Sequence, residues 1–157
     1  MNAAAGSYDT LAGVYEWLTP ESLATPQGAV DAFAGVVDLE PGARVLDCAA
    51  GTGQLAVGLA LRGHDVVASD ASAGMVERTM ALAAEHGVDL PAVVCEWESL
   101  PDQGWQGAFD AVFCVGNSLT HAGPTPRRRA ALAAMAAVLR AGGLLVATSR
   151  NWELVRA

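Results

Sequence analysis

The run Val45-Leu46-Asp47-Cys48-Ala49-Ala50-Gly51-Thr52-Gly53 combines residue types that can hold a small ligand. Its glycines let the backbone turn sharply after a strand and pass close to a bound molecule. Asp70 follows 19 residues after Gly51. At the end of the next strand, an acid can accept hydrogen bonds from both hydroxyls of a ribose. Asp47 narrows the choice of ligand. An acid four residues before the first glycine would repel a pyrophosphate but suits a ligand that carries an ammonium group. Two other readings stay open at this point. Gly51-x-Gly53-x-x-Ala56 also fits the fingerprint of nicotinamide and flavin sites, where alanine can stand third. The two glycines could also make nothing more than a turn.

The surrounding pattern supplies elements that could position these residues. Tyr8, Leu11, Tyr15 and Leu18 recur at helical spacing. Thr25-Pro26 reads as an N-cap followed by proline at the first helical position, with Val30, Phe33 and Val37 as the inner face. From Pro41-Gly42 strands and helices alternate. Strands are expected at 44–48, 65–69, 92–95, 109–115 and 144–148. The helices expected between them cover 54–62 (stopped by Gly63), 73–86 (capped by Ser72, stopped by Gly87) and a long alanine-rich stretch from Thr125-Pro126, stopped by Gly142-Gly143. This alternation predicts right-handed crossovers and a parallel sheet. Val66-Val67-Ala68, Ala111-Val112-Phe113 and Leu144-Leu145-Val146-Ala147 are continuous apolar runs, as strands covered on both faces are. The expected fold is therefore α/β: a Rossmann-like, doubly wound parallel sheet in three layers. Residues 1–40 would form a helical cap segment and 41–157 the binding domain.

Bulk properties exclude several classes of function. The chain has 157 residues, 52% of them hydrophobic, and a net charge of −8. Its isoelectric point is near 4.6 and its mean hydropathy is +0.30. These values fit one domain with a sizeable core. They disfavour nucleic acid and anionic membranes as partners, because both need basic surface. No stretch is long and apolar enough for a membrane span, and residues 1–7 lack the features of a signal peptide. Lysine is absent, so a Tyr-x-x-x-Lys hydride-transfer pair cannot be built. Cys48, Cys95 and Cys114 are widely spaced, odd in number and lack a CxxC pair. They read as small core residues of a cytoplasmic protein. With His64, His86 and His121 they show no metal-ligand spacing, so no metal site is expected.

Asp47-x-Ala49-x-Gly51-Thr52-Gly53, Asp70-Ala71-Ser72 and Met75 resemble the first two motifs of class I methyltransferases. Three later stretches narrow the resemblance to glycine N-methyltransferases and the bacterial glycine/sarcosine methyltransferases. They are Glu96-Trp97; Phe109-Asp110-Ala111-Val112 with Gly116-Asn117-Ser118-Leu119-x-His121; and Gly142-Gly143-Leu144-Leu145-Val146 with Ser149-Arg150-Asn151-Trp152. The resemblance runs from Arg44 to the C-terminus. It implies S-adenosylmethionine as cofactor and a small-molecule amine as methyl acceptor, and it leaves self-association into a homo-oligomer open. Asp47 would meet the methionine amino group, directly or through water, with Ala49 and Gly51 lining the methionine portion beside Gly53. Asp70 would bind the ribose, next to Ala71. Met75 and Trp97 would sandwich the adenine, Glu96 would reach its exocyclic amine, and backbone around Cys114 and Val115 would meet the amino-acid part. Tyr8 would close over the cofactor. Asn117, His121 and Arg150 would face the acceptor, with His121 as a candidate general base.

Plainer roles stand beside these. Met75 could be ordinary core, Trp97 an edge residue, Asp47 a cap for the following loop, and His121 a loop residue. His64 and His86 sit beside helix-ending glycines and would complement helix C-termini. Arg127, Arg128 and Arg129 read as a solvated face. The segment before Arg44 contains no arginine. The fold is expected to be truncated after its fifth strand, where class I methyltransferases normally add two more strands and the glycine enzymes their acceptor-covering segment. A non-catalytic, methyltransferase-like binding module is the alternative reading.

Overall fold

A computed structural model describes residues 20–149. After a 3-10 turn at Glu21–Leu23, the chain forms α1 (Pro26–Asp31), β1 (Arg44–Asp47), α2 (Gln54–Leu61), β2 (Asp65–Asp70), α3 (Ala73–Glu85) and β3 (Ala92–Val94). Short 3-10 turns at Trp97–Ser99 and Pro101–Gln103 lead into β4 (Phe109–Cys114). A further 3-10 turn (Ser118–Ala122) precedes α4 (Thr125–Val138) and β5 (Leu139–Ala147).

The helix starts follow their local chemistry. Thr25 Oγ1 accepts a hydrogen bond from the Gly28 N–H at 3.1 Å, and Ser72 Oγ one from Met75 N–H at 3.2 Å. Each satisfies a donor that the first helical turn leaves open. α1 ends at Asp31, before Phe33 and Val37 can join it. The chain turns there, and Phe33 and Val37 pack against the core from the turn instead.

All pairings are parallel and the sheet order is β3-β2-β1-β4-β5. The sheet has a core on each face. On one, Val45, Val66, Ala68, Ala111 and Phe113 pack beneath α1, α2 and the Ala83 side of α3. On the other, Leu46, Val67 and Val112 meet Ala131, Met135 and Val138 of α4. This is the three-layer, doubly wound arrangement. Strand order reverses at β1, so a crevice opens at the carboxyl ends of β1 and β4.

The end of α4 departs from expectation. The helix stops at Val138, ahead of Gly142-Gly143, and β5 begins at once. Its last carbonyls explain the early stop. Ala137 O and Val138 O accept hydrogen bonds from the N–H groups of Gly107 and Ala108, at 3.0 and 2.9 Å. The glycines instead sit inside β5, where its pairing with β4 steps from Phe109–Leu139 to Ala111–Leu144. β5 is an edge strand of the described sheet, and Leu144 is 42% exposed. No helix among the described residues is long and apolar enough to cross a membrane.

Gly58 lets α1 lie against α2. A Cβ there would come within 2.3 Å of Pro26 O and 2.5 Å of Val30 Cγ2. Gly58→Ala should therefore lower unfolding stability by about 1–3 kcal/mol. The gain in helix propensity, at most about 1 kcal/mol, runs the other way and loses. The urea midpoint checks this, and an unchanged or raised midpoint would show that α1 does not pack as described.

Candidate ligand-binding site

The crevice is a cavity of about 600 Å³ at the carboxyl end of the sheet. One wall is the loop after β1. Gly51 adopts φ +56 and Gly53 φ +90, the left-handed region that glycine enters without strain. The two glycines serve different ends. A Cβ on Gly51 would meet no protein atom within 4 Å, and Gly51 lines the cavity. A Cβ on Gly53 would stand 2.9 Å from Thr79 Cα, so this glycine faces α3 and not the cavity. Thr79 Oγ1 also donates to Gly51 O at 3.0 Å, tying the loop to α3.

Asp70 closes the same corner. Its Oδ2 accepts from Gly51 N–H at 3.0 Å and its Oδ1 from Ser72 N–H at 2.9 Å. The carboxylate thus braces the loop while lining the cavity with Ala71. Asp47 lies deeper and is 1% exposed. Its carboxylate accepts one long hydrogen bond, from Ala49 N–H at 3.4 Å. Burial, with a smaller push from the Asp70 charge, raises its pKa from 3.8 to about 7.

The opposite wall follows β3. Glu96, Trp97 and Glu98 line the cavity, and the Trp97 indole N–H donates to Cys48 O at 2.7 Å. Met75 is fully buried and also reaches the cavity. Beyond β4, Val115, Gly116 and Asn117 form the rim. Asn117 is the one non-glycine residue with positive φ among those described, at +65. Asparagine tolerates that conformation better than most residues. Gly116 N–H donates to Thr148 Oγ1 at 3.0 Å, which ties this rim to the end of β5.

The structure gathers Asp47, Ala49, Gly51, Asp70, Ala71, Met75, Glu96, Trp97, Asn117 and the exposed His121 around one cavity. Three expectations change. Gly53 holds the loop down instead of lining the site. Cys114 is wholly buried in β4, so the cavity is met one residue later, at Val115. Arg127 is not merely solvated, since it forms ion pairs with Glu96 and Glu98. Tyr8 and Arg150 lie outside the described residues. Sequence reasoning missed Gln54 on the loop side, Leu23 and Phe33 near α1, and Thr148 after β5. Only Phe33 carried a signal, as an apolar residue at helical spacing. Buried Cys48 has its thiol pushed up by desolvation and by the Cys114 thiol beside it, so it is no nucleophile here.

Comparison with known proteins agrees with this geometry. A family model described as "Methyltransferase domain" matches residues 45–143. A glycine/sarcosine N-methyltransferase of Parasynechococcus marenigrum (strain WH8102) is 41% identical over 115 residues, covering 73% of this chain and 40% of that protein. The glycine N-methyltransferase of Homo sapiens is 37% identical over 122 residues, covering 70% and 41%. The structure of the CcbJ methyltransferase from Streptomyces caelestis superimposes with a TM-score of 0.75 at 26% identity, covering 89% of this chain and 56% of that one. The chain spans about two fifths of the length of these two curated relatives.

The Asp47 carboxyl generates a pH dependence. Between about pH 4 and pH 7 the folded chain holds a proton there that the unfolded chain has lost. Its contribution to stability is therefore present at low pH and declines as pH rises through that window. Asp47→Asn, with the same shape and no charge, should remove this slope. At pH 8 it should stabilise the ligand-free chain by up to about 4 kcal/mol. Urea unfolding of both proteins at pH 5 and pH 8 measures it, and parallel curves would refute the buried-acid account.

Proposed function

The chain belongs to the class I S-adenosylmethionine-dependent methyltransferases, and we propose that its cavity binds S-adenosylmethionine for methyl transfer to a small amine that carries a carboxylate. The observation that carries this reading is Asp47, a fully buried acid on the cavity wall at the end of β1. An ammonium group completes the charge pair, whereas a pyrophosphate would be repelled. Gln54 fits as well, since its Oε1 is buried without a hydrogen-bond partner beside the same cavity.

When bound, S-adenosylmethionine supplies a methyl group on a sulfonium that a nucleophile displaces in line. The protein's residues then have to hold, orient and exclude water, which can supply several kcal/mol of the barrier. Asp47 accepts from the ammonium, with Ala49 and Gly51 against the methionine chain. Asp70 accepts from the ribose hydroxyls. Met75 and Trp97 enclose the base, and Glu96 accepts from its exocyclic amine. Asn117 and His121 stand at the acceptor side of the rim, where His121 can take the proton an amine must lose. Tyr8 and Arg150 join from the two ends of the chain: Tyr8 as a cover, Arg150 as the reader of the acceptor's carboxylate, which a guanidinium matches in bidentate fashion.

Glycine and sarcosine have the required form, and the relatives' names support them as acceptors. Residues 1–40 serve as a cap on the domain of residues 41–157, since Pro20, Leu23 and Phe33 already line the cavity. The three buried free cysteines favour the cytoplasm.

Calorimetry with S-adenosylhomocysteine and NADH tests the cofactor. Only the former should bind, and its affinity should rise with pH up to about 7 as Asp47 ionises. Asp70→Ala should weaken it by about 1–3 kcal/mol, because it strands the ribose hydroxyls. Binding of NADH, or none of S-adenosylhomocysteine, would overturn the reading. For the acceptor, a longer chain should methylate glycine or sarcosine faster than an uncharged amine, and Arg150→Lys should remove that preference. Equal loss for all acceptors would exclude Arg150 as the carboxylate reader.

A further inference from the structure

Arg127 stands in the first turn of α4, where a positive charge meets the positive end of the helix dipole. Its position is therefore not explained by the helix. It is explained by what lies across from it. Nη2 is 3.6 Å from Glu96 Oε2, and Nε is 3.3 Å from Glu98 Oε1. These two glutamates flank Trp97, whose indole N–H is held from the other side by Cys48 O at 2.7 Å. The backbone of this wall is fixed by Cys95 N–H on Asp70 O at 2.9 Å and by the buried Leu100, and its side chains are held by the end of β1 at Trp97 and by the guanidinium of Arg127 at Glu96 and Glu98.

We infer that Arg127 is a positioning residue that holds Glu96 and Trp97 in the geometry that reads the cofactor's base. The inference rests on the base-side reading proposed above. Three features support it beyond simple surface pairing. One guanidinium engages two carboxylates through different nitrogens, so it fixes the direction of the segment as well as its charge. The paired residues are consecutive members of the cavity wall, not scattered surface groups. The contact also lies on a seam where Ala131 and Met135 of α4 already pack in one cluster with Cys95, Trp97 and Leu100, so the guanidinium acts from a fixed support. An isolated exposed ion pair contributes little to folding. Its effect here falls instead on where the Glu96 carboxylate and the Trp97 ring sit when the base arrives.

The test uses the full chain and two probes, S-adenosylhomocysteine and its inosine counterpart, in which a carbonyl replaces the exocyclic amine. Wild type should prefer the adenosyl probe, and Glu96→Gln should shrink that preference. Arg127→Ala should weaken the adenosyl probe about five-fold. It should shrink the same preference while leaving the urea midpoint near that of wild type. Arg127→Lys should restore part of the loss, since an ammonium reaches one carboxylate but not both. Raising salt should weaken adenosyl binding by wild type and have little effect on Arg127→Ala. Unchanged affinity in Arg127→Ala would overturn the inference, and so would equal weakening of both probes, which marks a role in folding alone. Failure of wild type to bind either probe would instead remove the base-side reading, and this inference with it.

Discussion

The site exists because Gly53 can lie against α3 with no side chain between them. With Thr79 Cα 2.9 Å from where a Cβ would stand, any other residue would push the loop after β1 away from the sheet. That contact fixes the start of α2, since Gly53 is its N-cap. It also fixes Gly51, whose carbonyl is held by Thr79 Oγ1 and whose N–H is held by Asp70. One close approach therefore sets the spacing of β1, α2, β2 and α3 around the crevice. Close-packed elements do not absorb a displaced loop gradually, so the geometry of the wall is effectively all or none.

This rigidity permits an arrangement that would otherwise be costly. Burying a carboxyl without a cation is unfavourable, and the free protein relieves the cost by protonating Asp47 near neutral pH. The protein cannot relieve it by moving, because Asp47 ends a central strand paired on both sides. The strain is thus stored as an unmet charge preference. A ligand bringing its own cation receives that free energy on binding, whereas a neutral one does not.

Much of the frame was legible because it rests on local signals. Thr25, Ser72, Gly63 and Gly87 act as the starts and stops that their types announce, and the apolar runs become parallel strands. What failed was set by distant partners. α4 ends early because Gly107 and Ala108, far back in sequence, take its final carbonyls. Gly142-Gly143 looked like a helix stop and instead serves an irregular step in strand pairing. In the site, residue types and spacing pointed to Asp47, Gly51 and Asp70, which end or closely follow β1 and β2, whereas the Glu96-Trp97 pair came from the family resemblance. Spacing could not separate the Gly that lines the cavity from the Gly that packs against Thr79. Nor could it join Arg127 to Glu98, 29 residues away. Gln54 carries no pattern of its own and enters the wall only because the loop turns there.

The charges of the cavity make sense only when each is followed to its partner. Four carboxyl groups line it (Asp47, Asp70, Glu96 and Glu98), and no arginine or lysine does so among the described residues. Left bare, such a wall would repel itself and destabilise the fold. Asp70 is balanced by two backbone N–H donors, and Glu96 and Glu98 share Arg127 from outside the wall. Asp47 has one long hydrogen bond, from Ala49 N–H, and its proton. Three of the acids are thus balanced by donors on the protein, and Asp47 is the least balanced of the four. The discrimination it makes is between ligands that can replace a proton with a fixed positive charge and ligands that cannot. This separates a methyltransferase cofactor from a dinucleotide more sharply than the glycine loop the two classes share.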